Sequence, residues 1–169
     1  MKSLHEIVVG KLAVLTGRPV KITLTREEVF YTHRGRHPVL MSFKTGVKKD
    51  GSFVAADTRM EFEAGGFAGS PMGAATMTVY AAYNFPNFRL EGLDIVLNKP
   101  KVAAYRAPGA PNAAYAIESV IDELAQKLGM AKAEIRAKNF IRKEQFPYTS
   151  AFGCDYDSGE HHTAWKKVL

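Results

Sequence analysis

The chemistry available to this chain gathers around one arginine. Arg106 sits in an otherwise small and apolar segment, residues 99–111, directly before a predicted helix. A guanidinium is permanently charged and presents its donors as a rigid fork. Amides at a helix N-terminus carry positive partial charge too, so the two together suit an anionic or oxo-bearing ligand. The same arginine is equally placed to pair with a structural carboxylate such as Glu118. A second irregular segment, residues 65–73, holds four glycines in nine residues. Such a run is either a flexible connector or a loop that admits close approach of another backbone or a ligand.

Other reactive groups offer less. The five histidines (His5, His33, His37, His161 and His162) show no metal-binding spacing such as HExxH. His161 and His162 are adjacent, so on a helix they face different directions, and solvent exposure is the expected outcome. No nucleophile elbow, P-loop or dinucleotide fingerprint occurs. The single cysteine, Cys154, excludes an internal disulfide and any cysteine-ligated zinc or iron–sulfur centre within the chain, and reads as a bystander. It fits a reducing, cytoplasmic setting.

The elements that must hold the two loops can be read from periodicity. Leu4, Ile7, Val8, Leu12 and Leu15 recur at helical spacing and Gly17 supplies a stop. Residues 20–24 alternate as a strand does, and Thr25-Arg26-Glu27-Glu28 is a capping box for a short helical turn through Phe30. The most secure local feature is a hairpin. Val39, Met41, Phe43, Thr45 and Val47 share one face, Asp50-Gly51 makes the turn, and Val54, Ala56, Thr58, Met60 and Phe62 share the face of the returning strand. After the glycine-rich segment come a short helix over 75–83 and a strand over 88–97. The strongest helix covers 111–128, with Ala113, Ile117, Val120, Ile121, Leu124 and Leu128 as its buried stripe and Gly129 as its end. A second helix covers 131–139 and the tail over 147–159 is irregular.

The fold class is therefore α+β: a two-layer mixed β-sheet with helices packed on one face. The 169 residues suit one domain or one lobe of a larger one, and a 46% hydrophobic content suits a real core. No apolar run approaches the roughly 20 residues of a membrane span, and Met1 to Glu6 lack the layout of a secretory signal. The net charge of +6, from 23 basic and 17 acidic residues, is dispersed. Without a basic stripe or a recognition motif it indicates a solvated face or a subunit contact and no nucleic-acid role. A last amphipathic helix begins at His161, and with so few residues left it is expected to bury its face on nothing, as though the chain were cut there.

Several segments together resemble the large chain of the xanthine dehydrogenase, aldehyde oxidase and carbon monoxide dehydrogenase family of molybdenum hydroxylases. They are residues 16–21, 25–28, 83–87, 104–111 (Ala104-Tyr105-Arg106-Ala107-Pro108-Gly109-Ala110-Pro111), 118–125, 135–140 and 156–159. Residues 138–148 are most similar to carbon monoxide dehydrogenase large chains. The resemblance implies one lobe of the molybdenum-cofactor-binding domain, with 1–150 its N-terminal part and 151–169 a truncated connection into the next repeat.

The same resemblance implies a molybdopterin cytosine dinucleotide cofactor and hydroxylation of a small-molecule carbon centre with water as oxygen source. Electrons would leave to FAD and 2Fe-2S partner subunits or domains, and the remainder of the large subunit would be a further partner. Arg106 takes the position nearest the molybdenum site without being a metal ligand, Ala107 and Gly109 join it in holding the cofactor, and Pro108, Gly66 and Phe67 face substrate. Purine-oxidising members carry an aromatic residue where Pro108 stands. Copper-dependent carbon monoxide dehydrogenases carry a cysteine where Ala107 stands. Both departures point towards aldehyde or heterocycle oxidation. The family's GGGFGGK segment is expected just before residue 1 and its general-base glutamate beyond residue 169, so no catalytic residue is expected here and the chain alone should be inactive. The alternatives are a non-catalytic binding or assembly module and a carbon monoxide dehydrogenase large chain.

Overall fold

The computed structural model describes residues 4–150 and 152–169. Met1 to Ser3, part of the stretch read above for a signal, and Ala151, the first residue of the second expected segment, lie outside the described residues. The element order is α1 (Leu4–Thr16), α2 (Arg26–Thr32), β1 (Val39–Val47), β2 (Phe53–Gly65), α3 (Met72–Thr78), β3 (Asn87–Val96), α4 (Ala110–Leu128), α5 (Lys132–Asn139), a 3-10 turn at Lys143–Gln145, a ribbon of β4 (Tyr148–Thr149) and β5 (Asp155–Tyr156), and α6 (His161–Val168). Among the described residues no helix is long and apolar enough to cross a membrane.

The main sheet has the order β1-β2-β3, with β1 and β2 antiparallel and β2 and β3 parallel, which makes it mixed. The hairpin forms where alternation and the Asp50-Gly51 turn place it: Gly51 takes φ +84°, and Asp50 Oδ1 accepts from the Ser52 amide at 3.1 Å. An irregularity between Gly46 and Val47 pairs Val47 with Phe53 and Gly46 with Ala55. Phe53 rather than Val54 therefore enters the core, where its ring stacks on Phe85 at 4.7 Å. Farther along β2 the expected face holds: Ala56, Thr58, Met60 and Phe62 are all buried.

Helices α3 and α4 lie against this face. Ala113, Ile117, Ile121 and Ala125 are the buried stripe of α4, and Leu124 and Leu128 pack partly against the core. Gly129, at φ +64°, closes the helix by donating its amide to Gln126. Asn139, at the end of α5, fastens helix to hairpin. Its Oδ1 accepts from the Phe53 amide at 2.8 Å and its Nδ2 donates to the carbonyls of Gly51 and Ile135 at 2.8 and 2.7 Å. A buried amide satisfied on both ends specifies this docking as no apolar side chain can.

Some expectations are corrected. Residues 20–24 form no strand, because no edge of the sheet reaches them to complete a ladder. The third helix begins at Met72 and ends at Thr78, displaced towards the N-terminus from 75–83. The tail contains the small β4–β5 ribbon. Helix α6 does find a surface: Trp165 packs against the core with its ring 5.5 Å from that of Phe140, edge on. His161 and His162 are half-buried, not solvated. His162 Nε2 lies 2.8 Å from the Ala137 carbonyl, and His161 sits beside Phe146 and Phe140. At the other end of the chain the apolar residues of α1, Ile7, Val8, Leu12 and Leu15, are exposed.

Candidate functional site

Two joints bring the irregular segments together, and both are glycines. Gly65 closes β2 at φ +76°, and a Cβ there would lie 2.3 Å from the Pro100 carbonyl oxygen. The amides of Gly66 and Leu97 donate to Lys99 and Gly65, and that of Val102 to Ala64, at 2.9, 3.0 and 3.1 Å. Gly109 stands before α4 at φ +80°, and a Cβ there would lie 2.5 Å from the Pro71 carbonyl oxygen and 2.9 Å from the Ala75 amide. The glycine-rich segment is thus a close-approach joint, and the connector reading falls. Its middle is fixed as well: Gly69 and Ser70 donate their amides to the Asp94 carboxylate at 2.6 and 3.1 Å. Burial opposes ionisation of Asp94, but these amides and nearby Lys101 outweigh it and hold the carboxyl below its usual range.

A third segment completes the assembly. Gly35 forms a parallel bridge with Val102, and the Ala103 amide donates to the Gly35 carbonyl at 3.2 Å. Arg36 and His37, the next two residues, reach the Arg106 loop and the start of α4. Arg36 Nη2 donates to the carbonyls of Tyr105 and Arg106 at 2.9 and 3.2 Å, and its guanidinium carbon lies 4.8 Å from the centre of the Tyr105 ring. His37 is buried against Phe62, with Nε2 3.1 Å from Asn112 Oδ1 in the first turn of α4. That contact makes Nε2 the protonated nitrogen and leaves Nδ1 a buried acceptor without a partner among the described residues.

Arg106 and Ala107 occupy left-handed conformations at φ +36° and +53°, the only non-glycine residues to do so among those described. Both are exposed, Pro108 is half-buried, and Gly109 is buried at the joint with α3. The Arg106 side chain has no hydrogen-bonding or ionic partner among the described residues. Glu118, its alternative partner, is taken: Arg136 Nε donates to it at 2.7 Å and the Tyr83 hydroxyl at 2.8 Å. Burial and this carboxylate push the Tyr83 phenol well above its usual value, so the network is a neutral tyrosine joined to an ion pair. The N-terminus of α4 adds open donors, since it has no side-chain cap and no acidic residue in its first turn. Gly66 and Phe67 are exposed on the first loop. Among the described residues no three His, Cys, Asp or Glu side chains gather as a metal site. What the loops offer is a guanidinium and main-chain donors, the set for an anionic organic group.

Arg36, His37 and Asn112 are not legible as site residues in the sequence. Arg36 belongs there to a charge read as dispersed, and nothing local announces a contact across some 70 positions. The pairing has a measurable consequence. Burial, aided by the Arg36 charge and only partly offset by Asn112, lowers the His37 pKa below its usual 6.5. The unfolded chain then binds more protons than the folded one as pH falls below about 6.5, so this contribution to stability is complete above that pH and lost below it. Urea melts from pH 8 to pH 5 should show a decline that His37→Gln makes shallower. An unaltered slope in that variant would assign the decline to other groups.

The model of the molybdopterin cofactor-binding domain family matches residues 1–140. The chain is 39% identical over 168 residues to the carbon monoxide dehydrogenase large chain of Hydrogenophaga pseudoflava, covering 93% of this chain and 20% of that protein. It is 35% identical over 136 residues to human aldehyde oxidase, covering 78% of this chain and 10% of the relative. Among solved structures, quinoline 2-oxidoreductase from Pseudomonas putida 86 superimposes with a TM-score of 0.88 at 25% identity, over 97% of this chain and 22% of that one. The chain therefore spans a fifth or less of the length of these curated relatives.

Proposed function

Because the chain belongs to the molybdopterin cofactor-binding domain family, we propose that it forms one wall of the cofactor site of a larger molybdenum hydroxylase, with Arg106 as its charged contact. The observation that carries this reading is the Arg106 guanidinium, unpaired among the described residues and held on a left-handed turn directly before the uncapped α4. The residues fit such a group. A molybdopterin is anionic, and the loops supply a cation and main-chain donors with no acidic side chain in the first turn of α4 to oppose it. When bound, the cofactor supplies two-electron oxidation of a substrate carbon, with water as oxygen source. Arg106 places a fixed positive charge where negative charge gathers. Ala107 and Gly109 would join Arg106 in holding the cofactor, and Pro108, Gly66 and Phe67 would line the substrate side.

The finer assignments belong to the same proposal. The cofactor is the cytosine dinucleotide form, electrons pass to FAD and 2Fe-2S partners, and the setting is cytoplasmic, in keeping with a single free Cys154. The substrate is an aldehyde or an N-heterocycle. Likeness to the carbon monoxide dehydrogenase large chain favours the second reading, but Ala107 offers no thiolate to a copper ion. The test is the full-length large chain, expressed with its partner subunits. It should contain molybdenum and reduce a dye with aldehydes or N-heteroaromatics. A molybdenum-free protein overturns the reading, and oxidation of carbon monoxide alone moves it to the second.

A further inference from the structure

Two consecutive non-glycine residues in the left-handed region need something to hold them there, since L side chains disfavour it. Arg106 and Ala107 are such a pair, and both are exposed, so core packing does not supply the restraint. Across residues 103–108 one side chain among the described residues hydrogen-bonds to the main chain, and it is Arg36, on the carbonyls of Tyr105 and Arg106. The Gly35–Val102 bridge and the Ala103 amide on Gly35 bring the two segments into register, so the fork meets both carbonyls from a fixed base. The Tyr105 ring under the guanidinium fixes its plane. One residue on, His37 runs into the core and meets Asn112 in the first turn of α4, which anchors the same segment on the other side of the loop.

We propose that Arg36 is a positioning residue: its two hydrogen bonds and its stacking on Tyr105 set the left-handed Arg106–Ala107 turn and thereby aim the Arg106 guanidinium. The functional half of this statement rests on the cofactor-wall reading above; the structural half does not. Lysine is not an equivalent, because a point charge cannot span two carbonyls and stack in one plane.

The structural half is tested on this chain without cofactor. Trypsin cleaves after arginine and needs an extended segment, so a held turn resists it. Arg36→Ala should raise the rate of cleavage at the Arg106–Ala107 bond at least tenfold, read by mass spectrometry. The melting temperature should stay close to that of the parent, because Arg36 is exposed. Arg36→Lys should fall between the two. An unchanged rate at that bond overturns the proposal.

The functional half is tested in the molybdenum-loaded full-length protein by a double-mutant cycle. Arg36→Ala should lower kcat about tenfold with KM little moved, and should cost nothing more once Arg106 is alanine. A merely structural residue gives multiplying losses, and that result overturns action through Arg106. If the full-length protein holds no molybdenum, the cofactor-wall reading falls while the trypsin rate still decides the positioning of the turn.

Discussion

Replacing Gly109 with alanine is expected to destabilise the fold by about 3 kcal/mol or more; among the glycines of the two loops only Gly65, whose Cβ would lie 2.3 Å from the Pro100 carbonyl oxygen, meets a tighter clash. Two costs add. The backbone sits at φ +80° and ψ −36°, outside the left-handed helical well, where an L side chain loses about 1–3 kcal/mol. The new Cβ would also meet the Pro71 carbonyl oxygen at 2.5 Å and the Ala75 amide at 2.9 Å, both backbone atoms with no rotamer to yield. The neighbours cannot give cheaply: Pro71 opens α3, and Ala75, on the same helix, is buried in the core. Gly129 provides the control. It has φ +64° but open space around its Cβ position, so Gly129→Ala isolates the conformational cost at about 1 kcal/mol. Gly73, with neither constraint, should tolerate alanine almost freely. Urea melts of the three variants give the ranking. If Gly109→Ala costs no more than Gly129→Ala, the two loops are not in the contact described.

The same comparison shows why part of this structure can be read from the chain and part cannot. Thr25 and Glu28 recognise each other three residues apart, and both reciprocal hydrogen bonds form, at 2.7 and 3.2 Å. The Asp50-Gly51 turn, the alternation of β1 and the stripe of α4 are likewise local patterns, because backbone geometry fixes their period. Residues 20–24 carry the same alternation and yet form no strand, since a strand also needs a partner and periodicity says nothing of one. The parallel pairing of β2 with β3, the entry of Phe53 in place of Val54 and the burial of Trp165 depend on elements far apart in sequence.

The site divides in the same manner. Arg106 stands out because a lone charge in a small, apolar loop is unusual, and the family resemblance gives it a role. Its alternative partner Glu118 can be dismissed only because Arg136 and Tyr83 occupy it. Arg36 is hidden, because its acceptors are main-chain carbonyls and those carry no sequence identity at all.

The largest effect on activity is expected from Arg106 itself, and the structure allows that effect to be separated from folding. Its side chain is exposed and makes no partner among the described residues, so Arg106→Ala should leave stability within about 0.5 kcal/mol of the parent. Arg106→Gly should even stabilise slightly, because φ +36° costs glycine nothing. In the loaded full-length enzyme, however, removing one preorganised charge from a site where charge develops is expected to reduce kcat by about 10²–10³-fold. Arg106→Lys should recover part of that loss: the charge returns, but not the rigid fork. Turnover of Arg106→Ala therefore falls steeply while its stability does not, a pattern that global damage to the fold cannot produce. Full turnover in Arg106→Ala, with molybdenum content unchanged, would remove Arg106 from the site and leave the left-handed turn without a functional reason.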